Sequence, residues 1–491
     1  MMNDGGKSDR SVVPEKRPNE ADRHAEEVAE GRDRTKGNSP KRNKPWTLSQ
    51  PGLPSALERV GQAARQDRKR RFTALLHHIY DLRRLERAYK AIKHDAAAGV
   101  DGETWKHYGE NLKQNLEDLA GRLARGAYHA RPVRRVYIEK ADGRKRPLGV
   151  PVLEDKIVQR STVEVLNAIY EEDFLGFSYG FRSKRSPHHA LDALAQGLWE
   201  KWVSWVLDAD LQSFFDTLRH EWLVKFLEHR IADRRVIRLI QKWLNAGVLE
   251  DGKRMVSEIG TVQGGSISPL LANIYLHYAF DLWIRQWRQR RAQGDVVVVR
   301  FADDFVVGFQ HRKEAEQCLE ELRERFVKFG LTLHPEKTRL VEFGRFAMEH
   351  RKARGEGKPE TFSFLGFTFC CGKTKAGKFT VIRKTMRKRM LKKLRELDEE
   401  LRRRRHAPVP EQGRYIRAVV QGHIRYYGVP LNGSGINAFR NEVIRRWKYW
   451  LSRRSQRARL TWNRMSRYIA QWVPPATICH PYPSARFARS T

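Results

Sequence analysis

The chain has 491 residues, and its 95 Lys and Arg against 58 Asp and Glu leave a net charge of +37. A surface this positive predicts a polyanionic partner, with nucleic acid favoured over an anionic membrane surface. No apolar run approaches the roughly 20 residues that span a bilayer. Four cysteines without a Cys-x-x-Cys pair argue against a disulfide framework or a cysteine zinc site. We therefore expect a cytosolic, reduced protein that works on nucleic acid without a membrane.

The N-terminal part of the chain is basic. Residues 1–54 are polar, charged and rich in Gly, Pro, Ser and Asn, which predicts a disordered leader. From about Leu57 to Lys93 the pattern predicts an amphipathic helical segment whose cationic face contacts nucleic-acid backbone; a solvated helix face is the alternative. The cations expected to contact RNA are Arg65, Lys69, Arg70 and Arg71.

A β-hairpin is predicted between Val133 and Val152, with its turn at Asp142-Gly143. Basic side chains crowd that turn, among them Lys140 and Arg146. Mixed strand and helix patterns continue from this hairpin to about Phe369.

Two strands are predicted to end in clustered carboxylates. An apolar strand runs from Trp205 into Asp210, and the strand period of two places Asp208 and Asp210 on one face. A second cluster, Asp303-Asp304, lies between two β-branched runs that predict a strand, a tight turn and a strand. As neighbours in one sheet, these strands would form a three-carboxylate pocket for two Mg²⁺ ions roughly 4 Å apart, the arrangement for in-line nucleotidyl transfer. The alternative is a solvated hairpin end.

A glycine-rich loop lies between the two carboxylate clusters. It runs from Gly260 to Gly265 and leads into a helix that is predicted to begin near Ser268-Pro269. Because glycine lacks a Cβ atom, such a loop lets the backbone approach a nucleotide closely.

Two basic helices are predicted in the C-terminal part. Thr380 to Arg405 contains no Gly or Pro, and roughly half of its positions are Lys or Arg. Ala438 to Arg454 mixes cations with tryptophans, which suits phosphates and stacked bases; an ordinary amphipathic helix that buries its tryptophans is the alternative. The first helix supplies further expected RNA contacts, at Arg387, Lys388 and Lys392.

Together the motifs resemble those of the reverse transcriptases. The palm motifs of that family are matched by Asp210 to Phe215, by Gln263-Gly264-Gly265 with Ser268-Pro269, and by Phe301-Ala302-Asp303-Asp304. Other segments resemble one branch in particular, the group II intron reverse transcriptase/maturases. These segments are Gly99–Gly102, Arg146–Pro151, Tyr179–Arg182, Glu336–Thr338, Phe364–Phe367 and Tyr426–Gly428. The resemblance spans about residues 55 to 485.

The resemblance implies an α+β fold, a right-hand polymerase with fingers and a palm built on antiparallel sheet, followed by an α-helical thumb or maturase domain. The expected domains are the leader at 1–54, an N-terminal extension with the fingers at 55–204, the palm with late finger elements at 205–375, the thumb at 376–475 and a short tail at 476–491.

The resemblance also implies roles for single residues. Asp210, Asp303 and Asp304 would be the catalytic carboxylates and, with the Leu211 carbonyl, would ligate two Mg²⁺ ions, for which Mn²⁺ could substitute. Phe215 would be a steric gate that selects dNTPs. The remaining nucleotide contacts would be Lys140 and Arg146 at the triphosphate, Gln263 and Gly264 in the nucleotide and template pocket, and Lys337 near the phosphates as a general acid.

We also predict the roles of three single residues. Arg182 is expected either to contact the template or to hold the fold in a salt bridge, and His188 is expected on a helix surface. Phe301 replaces the tyrosine that commonly starts the family's tetrad, and we expect activity to survive this change.

The function implied is an RNA-directed DNA polymerase of a group II intron that also binds intron RNA, assists its splicing and supports intron mobility. No zinc-type endonuclease motif follows the thumb motifs, so we expect an intron that homes without cutting the second DNA strand, in a bacterial cytosol or nucleoid. The expected partners are intron RNA, an RNA template with a DNA or RNA primer, target DNA and dNTPs. Two alternatives are a splicing factor with a dispensable polymerase and a domesticated reverse transcriptase, for example in phage defence.

Overall fold

The computed structural model of the chain describes residues 55–139, 145–250, 253–255, 260, 264–455 and 460–488. Several predictions fall outside this part: those for the leader, Lys140, the Asp142-Gly143 turn, Gln263 and the side chain of Arg146.

Helices dominate the first part of the described chain. They are α1 (Ala56–Gln66), α2 (Leu76–Ile79), α3 (Leu82–Lys90), α4 (Trp105–Glu110), α5 (Leu112–Ala124), α6 (Leu153–Asp173) and α7 (Pro187–Glu200). A capping box starts α1, since the side chains of Ser55 and Glu58 each bond the other's backbone N–H. The long helix α6 buries residues on most of its turns, and α1, α2 and α3 pack against it.

The predicted helical segment between Leu57 and Lys93 is interrupted, so this prediction was wrong for its middle part. After α1 ends at Gln66, the buried guanidinium of Arg230 donates to the backbone carbonyls of Ala64, Asp67 and Arg70. These tertiary hydrogen bonds replace helical ones. The expected RNA contacts Lys69, Arg70 and Arg71 therefore lie on an exposed loop, not on a helix face.

A small sheet carries the predicted hairpin, which is confirmed. Strands β1 (Val133–Glu139) and β2 (Lys145–Val150) pair antiparallel. Two short strands, β4 (Val248–Glu250) and β5 (Lys253–Met255), extend the sheet in the order β2-β1-β4-β5.

The central sheet is antiparallel and positions both carboxylate clusters. Its strands are β3 (Trp205–Asp210), β6 (Val296–Phe301), β7 (Asp304–Phe309) and β8 (Arg339–Glu342), in the order β6-β7-β3-β8. The strands β6 and β7 are buried along almost their whole length, as their β-branched composition predicts.

Further helices lie in the chain segments between and after the strands of the central sheet. They are α8 (Phe214–Thr217), α9 (His220–Glu228), α10 (Arg234–Leu244), α11 (Ser268–Leu276), a π-helix (His277–Asp281), α12 (Leu282–Arg290), α13 (Arg312–Lys328) and α14 (Ala347–Ala353). The predicted helix start at Ser268-Pro269 is confirmed. A continuous apolar core joins several of these helices to α6 and to one face of the sheet.

A third sheet precedes the C-terminal helices. It consists of β9 (Phe362–Phe364), β10 (Phe367–Lys373) and β11 (Phe379–Thr385), in the order β11-β10-β9. The predicted helix from Thr380 was wrong for its first residues, because Thr380, Val381 and Ile382 pair with β10 and the helix begins at Arg387. β-Branched side chains favour a strand wherever a partner strand is available.

The described residues after this sheet form the helices α15 (Arg387–Arg403), α16 (Val409–Tyr427), α17 (Gly433–Ser452), α18 (Trp462–Trp472) and α19 (Pro483–Ala488). The predicted helix over 438–454 is confirmed as part of α17 up to Ser452, where the helix ends. Leu394, Val420 and Trp447 belong to one apolar core that α15, α16 and α17 share, so Trp447 is a core residue.

A buried histidine in this core should make stability pH-dependent. His423 stacks on Phe439 with ring centroids 3.6 Å apart, and its Nε2 atom has no hydrogen-bond partner in the described part of the chain. Burial, with the Lys393 ammonium, lowers the pKa of His423 to about 3.

The unfolded chain binds a proton at His423 below pH 6.5, whereas the folded chain does so only near pH 3. The free energy of unfolding should therefore fall as the pH drops below 6.5, by about 2 kcal/mol from this group at pH 5. Urea unfolding of His423→Phe at pH 7 and pH 5 should show a correspondingly smaller pH effect than the wild type. His406→Phe, at an exposed site, should show the wild-type difference; an equally large change there would contradict the assignment.

Among the described residues, no helix combines the length and the apolar composition needed to cross a bilayer.

Candidate active site

A tight turn places two aspartates at one end of the central sheet. Phe301 pairs with Asp304 across β6 and β7, so Ala302 and Asp303 form a two-residue connection. Ala302 has a positive φ of 56°, which such turns require and which residues with a Cβ atom rarely adopt. The predicted strand, turn and strand are thus present.

The strand register brings the third carboxylate to the same place. Strand β3 lies next to β7, and Asp210 is the direct cross-strand partner of Asp304. Side chains of directly paired residues lie on the same face of an antiparallel sheet. Asp210 and Asp304 therefore lie side by side at the end of the sheet that carries the turn residue Asp303.

The electrostatics at this sheet end are strongly unfavourable for negative charge. Loss of solvent, together with the nearby carboxylates of Asp208, Asp303 and Asp210, raises the pKa of Asp304 well above its ordinary value. The guanidinium of Arg389 on α15 acts in the opposite direction and lowers the pKa of Asp304. Burial also raises the pKa of Asp208 to about 6, although Arg339 lies 3.4 Å from that carboxylate.

Lys337 lies at the same cluster. Its ammonium donates to the Oδ2 atom of Asp210, and its side chain is half-exposed. The segment before Lys337 is tied to β3, because His334 donates its backbone N–H to the Asp210 carbonyl at 2.8 Å. A residue predicted near the nucleotide phosphates is therefore next to the carboxylates, and it offsets part of their charge.

The donor set fits a hard divalent cation. Within the described ranges, no three His, Cys, Asp or Glu side chains are placed so that together they could hold a metal ion. Asp210, Asp303 and Asp304 are nonetheless oxygen donors of the kind Mg²⁺ prefers, and their mutual repulsion, seen in the raised pKa of Asp304, is what a bound cation would relieve.

The Ala302-Asp303 turn packs directly against the Tyr179–Arg182 segment. The backbones touch so closely that a Cβ atom at Gly180 would lie 2.3 Å from the backbone nitrogen of Ala302, so only glycine fits. Arg182 is buried and bonds Glu171 at 3.0 Å and the Leu175 and Ser178 carbonyls. Of the two roles considered for Arg182, the structure places it in the fold-holding one.

The residues predicted to surround the nucleotide are partly described. Phe215 is half-buried in α8 and packs edge-on against Phe214. Gly264 has a positive φ of 115°, and a Cβ atom there would lie 2.5 Å from the Gly149 carbonyl oxygen, so Gly264 packs against β2 of the predicted fingers. Leu211 is buried and bridges to Leu333 beside Asp210.

The remaining predicted RNA contacts are exposed. Arg387, Lys388 and Lys392 lie on the surface of α15, and Lys392 approaches Glu396 at 3.9 Å. Arg65 on α1 is also exposed and bonds Glu172 at 2.9 Å.

The prediction for His188 was wrong. It is buried, its ring stacks on His480 with centroids 3.8 Å apart, and its Nε2 atom lies 2.8 Å from the Tyr426 carbonyl. The sequence analysis did not single out Arg389. Nothing in the local sequence of a basic helix indicates which distant acidic residue one of its arginines will face.

Part of the chain is similar to known proteins. The family described as reverse transcriptase (RNA-dependent DNA polymerase) matches residues 138–369. Protein YkfC of Escherichia coli K12 is 36% identical over 288 residues, covering 52% of this chain and 76% of YkfC.

Two further relatives are intron proteins by name. The group II intron-encoded protein LtrA of Lactococcus lactis is 34% identical over 238 residues, covering 48% of this chain and 39% of LtrA. An uncharacterized 91 kDa protein in the cob intron of Schizosaccharomyces pombe is 43% identical over 162 residues, covering 33% of this chain and 20% of that protein. The match thus spans less than half the length of each intron protein.

Proposed function

Because this chain belongs to the reverse transcriptase family of RNA-directed DNA polymerases, among the group II intron reverse transcriptases and maturases, we propose that it copies RNA into DNA at the cluster of Asp210, Asp303 and Asp304. The observation that supports this proposal best is the register that pairs Asp210 with Asp304 beside the Asp303 turn. Three carboxylates at one sheet end suit two-metal nucleotidyl transfer.

Asp210 and Asp303 would hold the metal ions, and the Leu211 carbonyl and Asp304 would complete the oxygen donors. Two Mg²⁺ ions, when bound, supply the charge stabilisation that nucleotidyl transfer needs and lower the pKa of the primer 3′-hydroxyl. Lys337, next to Asp210, would meet the phosphates and carry a proton at Nζ for the leaving pyrophosphate. We propose that Lys140, Arg146, Gln263 and Gly264 contact the triphosphate and the template.

Primer extension on an RNA template tests this proposal. The purified chain, Mg²⁺ and dNTPs should give DNA of template length, and digestion of the template with RNase beforehand should abolish it. A folded, RNA-binding protein that extends no primer would contradict the polymerase and favour a splicing factor with a dispensable polymerase.

Phe215 should set the choice of sugar. If its ring closes the pocket beside the nucleotide, Phe215→Val would admit the ribose 2′-hydroxyl and raise the use of rNTPs relative to dNTPs by about 10- to 100-fold, the range for one steric contact. Competition between rNTPs and dNTPs in primer extension measures this ratio. Phe214→Leu changes the neighbouring ring, which is buried in the core, and should leave the ratio unchanged. A shift in both variants would point to general loosening.

We propose as well that the chain binds intron RNA and assists its splicing, and that copying this RNA at target DNA supports intron mobility. The net charge of +37 and the exposed cations of α15 support an electrostatic contact with RNA. Such contact releases counterions, so RNA affinity should fall steeply as salt rises. Splicing of the flanking intron at low Mg²⁺, with and without the protein, tests this role, and the absence of a flanking intron would favour a domesticated reverse transcriptase.

A further inference from the structure

One arginine next to the catalytic turn is completely enclosed. Arg300, the residue before Phe301 in β6, has a side chain with no exposed surface. A guanidinium carries five N–H donors, and a buried charge of this kind is tolerated only when it is paired and hydrogen-bonded.

The structure supplies an acceptor for each of the five donors of Arg300. Nε and Nη2 donate to the two carboxylate oxygens of Asp281 at 2.7 and 2.6 Å. Nη2 also donates to Ser178 Oγ at 2.7 Å, and Nη1 donates to Asn273 Oδ1 and to the Ala302 carbonyl, each at 3.0 Å. The network thus ends on the backbone of the Asp303-Asp304 turn.

The contact with Ala302 is at the turn's most constrained point. Ala302 has a positive φ of 56°, and its carbonyl orientation is held by the Arg300 guanidinium. A second hydrogen bond holds the backbone next to Ala302, because Asn273 also donates from Nδ2 to the Gly180 carbonyl at 2.7 Å.

The partner of Arg300 comes from an unusual helix. Asp281 ends the π-helix between α11 and α12 and has no exposed surface. Single π-helical turns are rare and are frequent at functional sites. Here the π-turn presents Asp281 to the strand that carries the catalytic turn.

Resting on the polymerase function proposed above, we propose that Arg300 is a positioning residue for nucleotidyl transfer. It sets the placement of Asp303 and Asp304 through the Ala302 carbonyl, and Asp281 in turn orients Arg300. A lysine cannot replace it, because a single ammonium lacks the planar fork that reaches Asp281, Ser178 and Ala302 together.

The test compares Arg300→Lys with a matched variant. Arg230 is also buried, pairs with Asp173 at 2.9 Å and donates to backbone carbonyls, but none of its hydrogen bonds reaches the catalytic turn. Both variants would be examined at a temperature where thermal scans show them folded. The readouts are the single-turnover extension rate, the KM for dNTP, and Mn²⁺ affinity measured by titration without turnover.

Arg300→Lys should slow extension by about 100-fold, the cost of misplacing catalytic groups by an ångström, with little change in KM, and should weaken Mn²⁺ binding by about tenfold. Arg230→Lys should change neither the extension rate nor the Mn²⁺ affinity. If Arg300→Lys does not fold, Ser178→Ala removes only one acceptor and should give a smaller loss in both readouts.

Wild-type rate and Mn²⁺ affinity in folded Arg300→Lys would overturn the positioning role, and so would equal losses in Arg230→Lys. If the wild type extends no primer, the polymerase proposal fails, whereas the Mn²⁺ comparison still decides whether Arg300 organises the carboxylates.

Discussion

Replacing Asp303 with alanine should abolish primer extension and leave the protein folded. A metal-binding carboxylate contributes several kcal/mol of charge stabilisation to the transition state, so we expect extension to fall by about 10³-fold or more. Stability should not fall, because Asp303 is one of the like charges that raise the pKa of Asp304. Extension assays with a thermal unfolding scan measure both effects.

Asp118→Ala removes an exposed carboxylate from α5, far along the chain from the cluster, and should extend primers like the wild type. Extension by Asp303→Ala at the wild-type rate would exclude this turn as the reaction centre. Splicing that persists in Asp303→Ala would separate the RNA-binding role from the polymerase, since the exposed cations of α15 are unchanged.

Replacing Asp192 with leucine should destabilise the protein more than any other single change considered for the fold. Asp192 on α7 is buried and accepts hydrogen bonds from Arg383 of β11 and Arg486 of α19, each at 2.5 Å. Arg383 is equally buried, so loss of Asp192 leaves an uncompensated charge. Breaking such a pair costs about 3–5 kcal/mol, a large part of a typical free energy of unfolding.

Urea unfolding of Asp192→Leu measures this cost. The double variant Asp192→Leu, Arg383→Met removes both buried charges and should recover a good part of the lost stability, because an apolar pair needs no compensating partner. Equal stability of the single and double variants would contradict the assigned cause. Lys201→Met, which breaks a partly exposed pair with Asp295 at 3.2 Å, should change stability by less than about 1 kcal/mol.

Much of the site could be predicted because its signals are local. The β-branched runs around Asp303-Asp304 are typical of buried strands, the adjacent aspartates predict a tight turn, and Ser268-Pro269 predicts a helix start. The structure contains each of these features. The apolar run that begins at Trp205 predicts a strand that ends at Asp210, and β3 does end there.

Predictions were wrong where contacts with residues far away in sequence outweigh the local sequence pattern. Thr380 to Ile382 lie in a basic, helix-like stretch but form a strand because β10 is available to pair with them. The loop with Lys69 is held by Arg230, which is more than 150 residues away in sequence, and His188 is buried by His480.

The types of the elements around the site and the carboxylates at their ends can be predicted from local sequence, because side-chain periodicity and turn chemistry act over a few residues. The pairing of Asp210 with Asp304, the contact of Lys337 with Asp210 and the ion pair of Arg300 with Asp281 arise only in the folded chain. Strand register and the pairing of buried charges depend on residues far apart in the chain, and their energies appear only once those residues are packed together.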